Sequence, residues 1–234
     1  MSIVVPAVLP SSREDFIEKL DFFAQIPSVS RIQIDVVDGH FAAPACWPYT
    51  APEEFQAMVA RGEMLPHLHN VEYEIDLMCV DAELAATGWL ALGATRLTFH
   101  AESTTNVSLL LASARRRYGE NSTISFGLAL NIASDLTLIE QCIDHIQYVQ
   151  FMGINRIGRQ GQPFDERVFE KVRVFHARHP NIPMQVDGGI SLESAKKLIG
   201  LGVSGLVIGS HILEAGNPVA ALAAFERLST PYGV

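Results

Sequence analysis

Eight short runs rich in Val, Ile and Leu alternate with eight stretches of helical periodicity along this chain, and no other feature limits its fold so tightly. The strand-like runs fall at 3–9, 31–36, 71–78, 95–99, 123–130, 146–152, 183–186 and 205–208. Helical spacing covers 13–25, 52–60, 81–92, 105–118, 135–142, 165–179, 191–201 and 218–228. Near-continuous apolar strands, each followed by a helix, predict a parallel sheet covered by helices. Eight such units in 234 residues close most economically into a single (β/α)8 TIM barrel, although an open doubly wound sheet uses the same units. No Pro/Ser-rich tract or charge block interrupts the pattern, so residues 1–234 read as one domain.

Composition narrows the partners. A formal charge of −9, with 48% hydrophobic and 18% charged residues, describes a folded globular chain rather than a disordered one. The densest basic run, Arg115, Arg116 and Arg117, lies in a helical pattern, which argues against a nucleic-acid partner. Cys46, Cys79 and Cys142 are widely spaced, with no metal-knuckle or disulfide pattern, which suits a reducing compartment. The start, Met1 to Pro6, lacks the basic and apolar regions of a leader, and no apolar run nears the roughly 20 residues that span a bilayer. The expectation is a cytoplasmic protein with no membrane partner.

A barrel places its working groups where the strands end, because the loops leaving those ends build the active face. Read in order, the ends offer Ala7 and Leu9, Gln33 and Asp35, Asp76 and Met78, His100 and Glu102, Asn131, Met152 and Asn155, Asp187, then Gly209 and Ser210. Acidic side chains at buried strand tips are costly unless paired, metal-bound or protonated, so Asp35, Asp76 and Asp187 form a convergent set that packing does not explain. Glycines follow the last two strands, in Val186-Asp187-Gly188-Gly189 and Val207-Ile208-Gly209-Ser210, and a third glycine-bearing loop spans 153–161. Such exits let backbone amides approach an anion, at the place where barrels of this kind commonly hold a phosphate.

These motifs resemble the ribulose-phosphate 3-epimerase family. The similarity runs through Pro6-Ala7-Val8-Leu9, Ile34-Asp35-Val36-Val37-Asp38-Gly39-His40-Phe41, Asp76-Leu77-Met78, His100-Ala101-Glu102, Gly127-Leu128-Ala129-Leu130-Asn131, Gly161-Gln162-Pro163-Phe164, Val186-Asp187-Gly188-Gly189 and Gly209-Ser210. It implies a ribulose-phosphate-binding barrel acting as an isomerase on ketopentose 5-phosphates. Asp35 and Asp187 match the family's acid/base pair, and inversion without a redox cofactor needs one such group on each face of the carbon. Gly188, Gly189, Gly209 and Ser210 match the phosphate cradle, with Gly158 and Gly161 in the neighbouring loop; Met78 and Met152 match methionines on the reacting face. The family also implies a phosphorylated sugar as substrate and a homo-oligomer as assembly.

The departures fall at the metal site. Two family histidines are replaced by Gln33 and Asp76, so the ligand set Gln33, Asp35, Asp76 and Asp187 offers only oxygen, which favours Mg²⁺ or Mn²⁺ over Zn²⁺. The alternative is a metal-free site in which Arg156 or Arg159, in a loop that also departs from the family, supplies charge to the enediolate. Two further activities stay open: another enediolate reaction on the same barrel, such as an aldol-type synthase or lyase or epimerisation of a different ketose phosphate, and non-catalytic phosphosugar binding. Related barrels that decarboxylate or condense carry Asp-x-Lys-x-x-Asp, where this chain has Asp35-Val36-Val37-Asp38.

Plainer roles fit other residues. His100 and Glu102 read as a packed pair bonded to loop backbone, and with Asn131 as secondary site candidates. Asp38 shapes its turn, His67 and His69 precede a strand and belong to the stability face, and His176 and His179 end a helix. The segment 42–49, with Cys46, Trp47, Pro48 and Tyr49, suggests either a lid over the ligand or an oligomer contact.

Overall fold

The computed structural model describes residues 3–118 and 123–228, so Met1 and Ser2 of the N-terminal reading lie outside the described residues. Eight strands, β1 (Val4–Val8), β2 (Arg31–Val37), β3 (Glu72–Met78), β4 (Arg96–His100), β5 (Ser125–Leu130), β6 (Tyr148–Met152), β7 (Met184–Asp187) and β8 (Gly205–Ile208), pair in chain order and close by β1 against β8. Every pairing is parallel. The open-sheet alternative is thereby excluded. Around the barrel lie α1 (Arg13–Ala24), α2 (Pro52–Arg61), α3 (Ala82–Ala91), α4 (Val107–Tyr118), α5 (Thr137–Glu140), α6 (Arg167–Arg178), α7 (Leu192–Gly200), α8 (Ser210–Leu213) and α9 (Pro218–Glu226).

Local chemistry sets the helix ends. Ser12 accepts a hydrogen bond from the Asp15 amide at the start of α1, and Ser191 and Ser194 close a reciprocal capping box at the start of α7. α2 opens on Pro52 and stops at Gly62, whose φ of 63° is the left-handed turn glycine takes without strain. Two expectations change. The stretch 135–142 holds only the one-turn α5, followed by a 3₁₀ turn at Ile143–His145, and the short α8 after β8 was not foreseen.

The strands bury both faces. Their outward residues, among them Ile32, Ile34, Ile75, Leu97, Phe151 and Val186, join the helices in one large apolar cluster. Inside the barrel the character is different: Gln33, Glu74, Asp76, Thr98, His100, Gln150, Gln185 and Asp187 are all buried. Residues two apart in a strand share a face, so Gln33 stands below Asp35, Glu74 below Asp76, Gln150 below Met152 and Gln185 below Asp187. The register sets Asp35 beside Asp76 on neighbouring strands and Met152 beside Asp187.

The aromatic centre of the segment 42–49 packs into the helical layer. Trp47 is fully buried, 4.7 Å from the Phe16 ring, and its Nε1 donates to Glu54 Oε2 at 3.0 Å. An indole offers too much apolar area to leave in solvent, so the aromatic cluster anchors the β2–α2 loop to the helical layer. The three cysteines are free and buried. No helix among the described residues is long and apolar enough to cross a membrane.

Candidate functional site

Asp35, Asp76 and Asp187, from β2, β3 and β7, each bring a carboxylate oxygen to within 4.8 Å of the other two, and all three are buried. Gln33 Nε2 donates to Asp35 Oδ1 at 2.9 Å and lies 3.4 Å from Asp187 Oδ2. The two oxygens of Asp76 are held separately, Oδ1 by His100 Nε2 at 3.0 Å and Oδ2 by Gln150 Nε2 at 3.0 Å. Toward an ionised Asp76, which can only accept, His100 donates through Nε2. His100 thus serves Asp76 rather than loop backbone, which corrects half of the packed-pair reading. Glu102 fulfils the other half, accepting from the Asn131 amide at 2.9 Å.

Burial governs the acidity of the pair. It pushes Asp35 up to about 8, with the neighbouring Asp76 charge adding to the shift and the Gln33 hydrogen bond opposing it. Burial also drives Asp187 well above the usual carboxylate range, reinforced by Asp35 and then Asp76. Adjacent acids in low dielectric cannot both ionise freely, so the pair titrates as a unit.

Above the carboxylates lies a cavity of about 40 Å³ lined by Ala7, Asp35, Met78, Met152, Ile154, Gly158, Arg159, Gln160, Gly161, Gln162, Asp187, Gly188, Gly189, Gly209 and Ser210. All eight residues expected to hold substrate, Met78, Met152, Gly158, Gly161, Gly188, Gly189, Gly209 and Ser210, are in this set. Gly188 and Gly189 have φ of 105° and 66°. A Cβ on Gly189 would sit 2.7 Å from the Phe164 amide nitrogen, and one on Gly209 would sit 2.3 Å from Gln160 Nε2. These glycines therefore let the β6–α6 loop fold down over the exits of β7 and β8. Arg159 ties that loop across the mouth through Nε to the Ala43 carbonyl at 3.0 Å, and Gln160 Nε2 lies 3.4 Å from the Ala7 carbonyl. Arg156 is exposed and stands outside the lining, as do Glu102 and Asn131.

The outlying histidines behave as expected. His67 pairs with Asp21 at 2.9 Å, and His179 packs on Phe175 and reaches Glu140. Asp38 shapes its turn by accepting from the His40 and Phe41 amides, and also from the Val80 amide. Sequence reasoning missed Gln150, Gln185 and Gln160. The first two carried a signal, a polar residue two positions before each tip in an otherwise apolar strand, but only the tips were read.

The carboxylate cluster suits a hard divalent cation. The groups that hydrogen-bond it are two amides and an imidazole, and Gln33 Oε1 is buried without a partner. Rotating the Gln33 amide by half a turn brings that oxygen toward Asp35 and Asp187, as a fourth oxygen donor.

A closed eight-stranded barrel with acids and glycine exits at the carboxyl ends of its strands belongs to the class of α/β-barrel enzymes whose site is built on one face. The model of the ribulose-phosphate 3 epimerase family matches residues 3–213, and the chain belongs to that family. Among its relatives, the ribulose-phosphate 3-epimerase of Mycobacterium leprae is 27% identical over 229 residues, covering 96% of this chain and 94% of that protein. The chloroplastic ribulose-5-phosphate-3-epimerase of Arabidopsis thaliana is 24% identical, covering 99% of this chain and 79% of that one. In fold, the chain is similar to 3-hexulose-6-phosphate synthase from Salmonella typhimurium, with a TM-score of 0.68, 16% identity and coverage of 97% and 98%.

Proposed function

We propose that the protein is an isomerase that inverts the carbon next to the ketone of a ketopentose 5-phosphate, interconverting D-ribulose 5-phosphate and its 3-epimer. The observation that carries this reading is the buried pair Asp35 and Asp187, held within 4.8 Å of each other on strands from different parts of the barrel. The Gln33 amide lies closer to Asp35 than to Asp187, at 2.9 Å against 3.4 Å, which favours Asp35 as the first of the pair to lose its proton, the ionised form that acts as base, while Asp187 keeps its own. Asp35 then takes the proton from the carbon, the bonding pair moves into the ketone to give an enediolate, and Asp187 delivers a proton to the opposite face. The reverse reaction, or exchange with solvent, returns the pair to its starting state.

Gly188, Gly189, Gly209 and Ser210 receive the phosphate through backbone amides, with Gly158 and Gly161 closing the loop over it. Met78 and Met152 give the reacting carbon an apolar floor that strengthens every charge interaction nearby. Asp35, Asp76 and Asp187 would hold Mg²⁺ or Mn²⁺ rather than Zn²⁺, because all three donors are oxygen; Gln33 would join them through Oε1 only with its amide turned, giving up its hydrogen bonds to Asp35 and Asp187. Such an ion supplies stabilisation of the enediolate oxygens. His100 positions Asp76, while Glu102 and Asn131 brace the exits of β4 and β5.

The test is proton NMR of D-ribulose 5-phosphate in D₂O with the purified protein, first with Mn²⁺ or Mg²⁺ and then with EDTA. Deuterium entering the carbon alpha to the ketone, with the 3-epimer appearing, supports the reading, and suppression by EDTA supports the cation. Folded protein giving neither exchange nor product under both conditions overturns it.

A further inference from the structure

Asp76 is the member of the cluster whose chemistry is least suited to hold still. A carboxylate on a short stem rotates about its last bond and presents either oxygen, so a fixed ligand direction requires both oxygens to be restrained. His100 Nε2 restrains Oδ1 and Gln150 Nε2 restrains Oδ2, each at 3.0 Å. Gln150 is itself fixed from below. Its Oε1 accepts from Gln185 Nε2 at 2.7 Å, which turns its amide so that Nε2 faces Asp76. The same Nε2 lies 3.5 Å from Met152 Sδ. Gln185 Nε2 also donates to Glu74 Oε1, and Glu74 is anchored by Thr98 Oγ1 and Arg96 Nε, both at 3.0 Å. All members of this column except Arg96 are buried inside the barrel.

From this column we infer that Gln150 is a positioning residue of the cation site: locked by Gln185 and Glu74, it fixes the Asp76 carboxylate as an oxygen ligand. An amide is suited to the task because it holds the carboxylate without cancelling its charge, which a guanidinium or ammonium in its place would do. Each Asp76 oxygen has two acceptor sites, so one hydrogen bond on each leaves one free for an ion. The inference rests on the cation reading of the site given above.

The experiment uses Mn²⁺ alone as the probe, with free Mn²⁺ followed by EPR during titration of the purified protein, so no turnover is needed. Gln150→Leu keeps the volume and removes the amide; Mn²⁺ affinity is expected to fall about tenfold to a hundredfold, the range for loss of a ligand's supporting partner. Gln185→Leu frees Gln150 to turn and is expected to cost less, in the same direction. In an Asp76→Asn background Gln150→Leu is expected to change nothing further, because its effect passes through Asp76. Circular dichroism and melting curves identify the variants that fold, and Gln185→Leu carries the test if Gln150→Leu does not. Wild-type affinity in folded Gln150→Leu or Gln185→Leu, or an equal further loss in the Asp76→Asn background, overturns the role of Gln150. A wild-type protein that binds no Mn²⁺ overturns the cation reading along with it.

Discussion

A carboxyl group that is hard to ionise leaves its mark on stability as well as on chemistry. Asp35 holds its proton up to about 8 in the folded chain against an ordinary value of 3.8, so between those values the folded state binds more protons than the unfolded one. Stability is therefore lost as pH rises through that window, the reverse of a salt-bridged aspartate. The melting temperature in EDTA is expected to drop from pH 5 to pH 9, and Asp35→Asn, which has no proton to lose, should flatten that slope. A slope unchanged by the substitution would place the cost of burial on another group. Restoring imidazoles gives a second residue-scale prediction. With Gln33→His and Asp76→His together, competition titrations should show preference moving from Mn²⁺ toward Zn²⁺, because nitrogen donors suit the softer ion.

At the scale of elements, the β6–α6 loop and the β7 exit are built as one unit. Gly189 combines a φ of 66° with a Cβ position 2.7 Å from the Phe164 amide nitrogen, so no side chain fits without moving backbone. Gly189→Ala is expected to cost about 1–3 kcal/mol of stability and to raise KM for the sugar phosphate more than it lowers kcat, as steady-state kinetics and denaturant melts will show. Trp47→Ala should cost about 3–5 kcal/mol in the same melts, since the ring fills the packing between the β2–α2 loop and the helices. These two elements also mark how far the sequence could be read. The double glycine after β7 announced a tight exit because only glycine tolerates that backbone. The place of Trp47 within the segment 42–49 was not legible, because an indole in a loop looks alike in sequence whether it faces ligand, partner or core. Its burial depends on Phe55 in the next helix and on Phe16 and Trp89, which are distant in the chain. The eight strands were legible from apolar runs, which burial on both faces requires, whereas the pairing of His100 and Gln150 with Asp76 follows from barrel closure and register.

On the scale of the whole molecule, the barrel brings residues far apart in the chain together at one mouth. Strands β2 and β7 deliver one aspartate each, the exits of β7 and β8 deliver the glycines, and the interior below is hydrogen-bonded rather than oily. The central claim is that Asp35 and Asp187 act from opposite faces of one carbon. The most direct test is deuterium exchange in D₂O, followed by NMR, with Asp35→Asn and Asp187→Asn separately presented with each of the two epimers. In each variant one epimer should still wash its alpha proton into solvent without inverting, the epimer served should differ between the variants, and epimerisation should fall at least about a hundredfold. If one variant exchanges neither epimer while the other still interconverts them at the wild-type rate, a single group does all the proton transfer and the two-aspartate account is wrong.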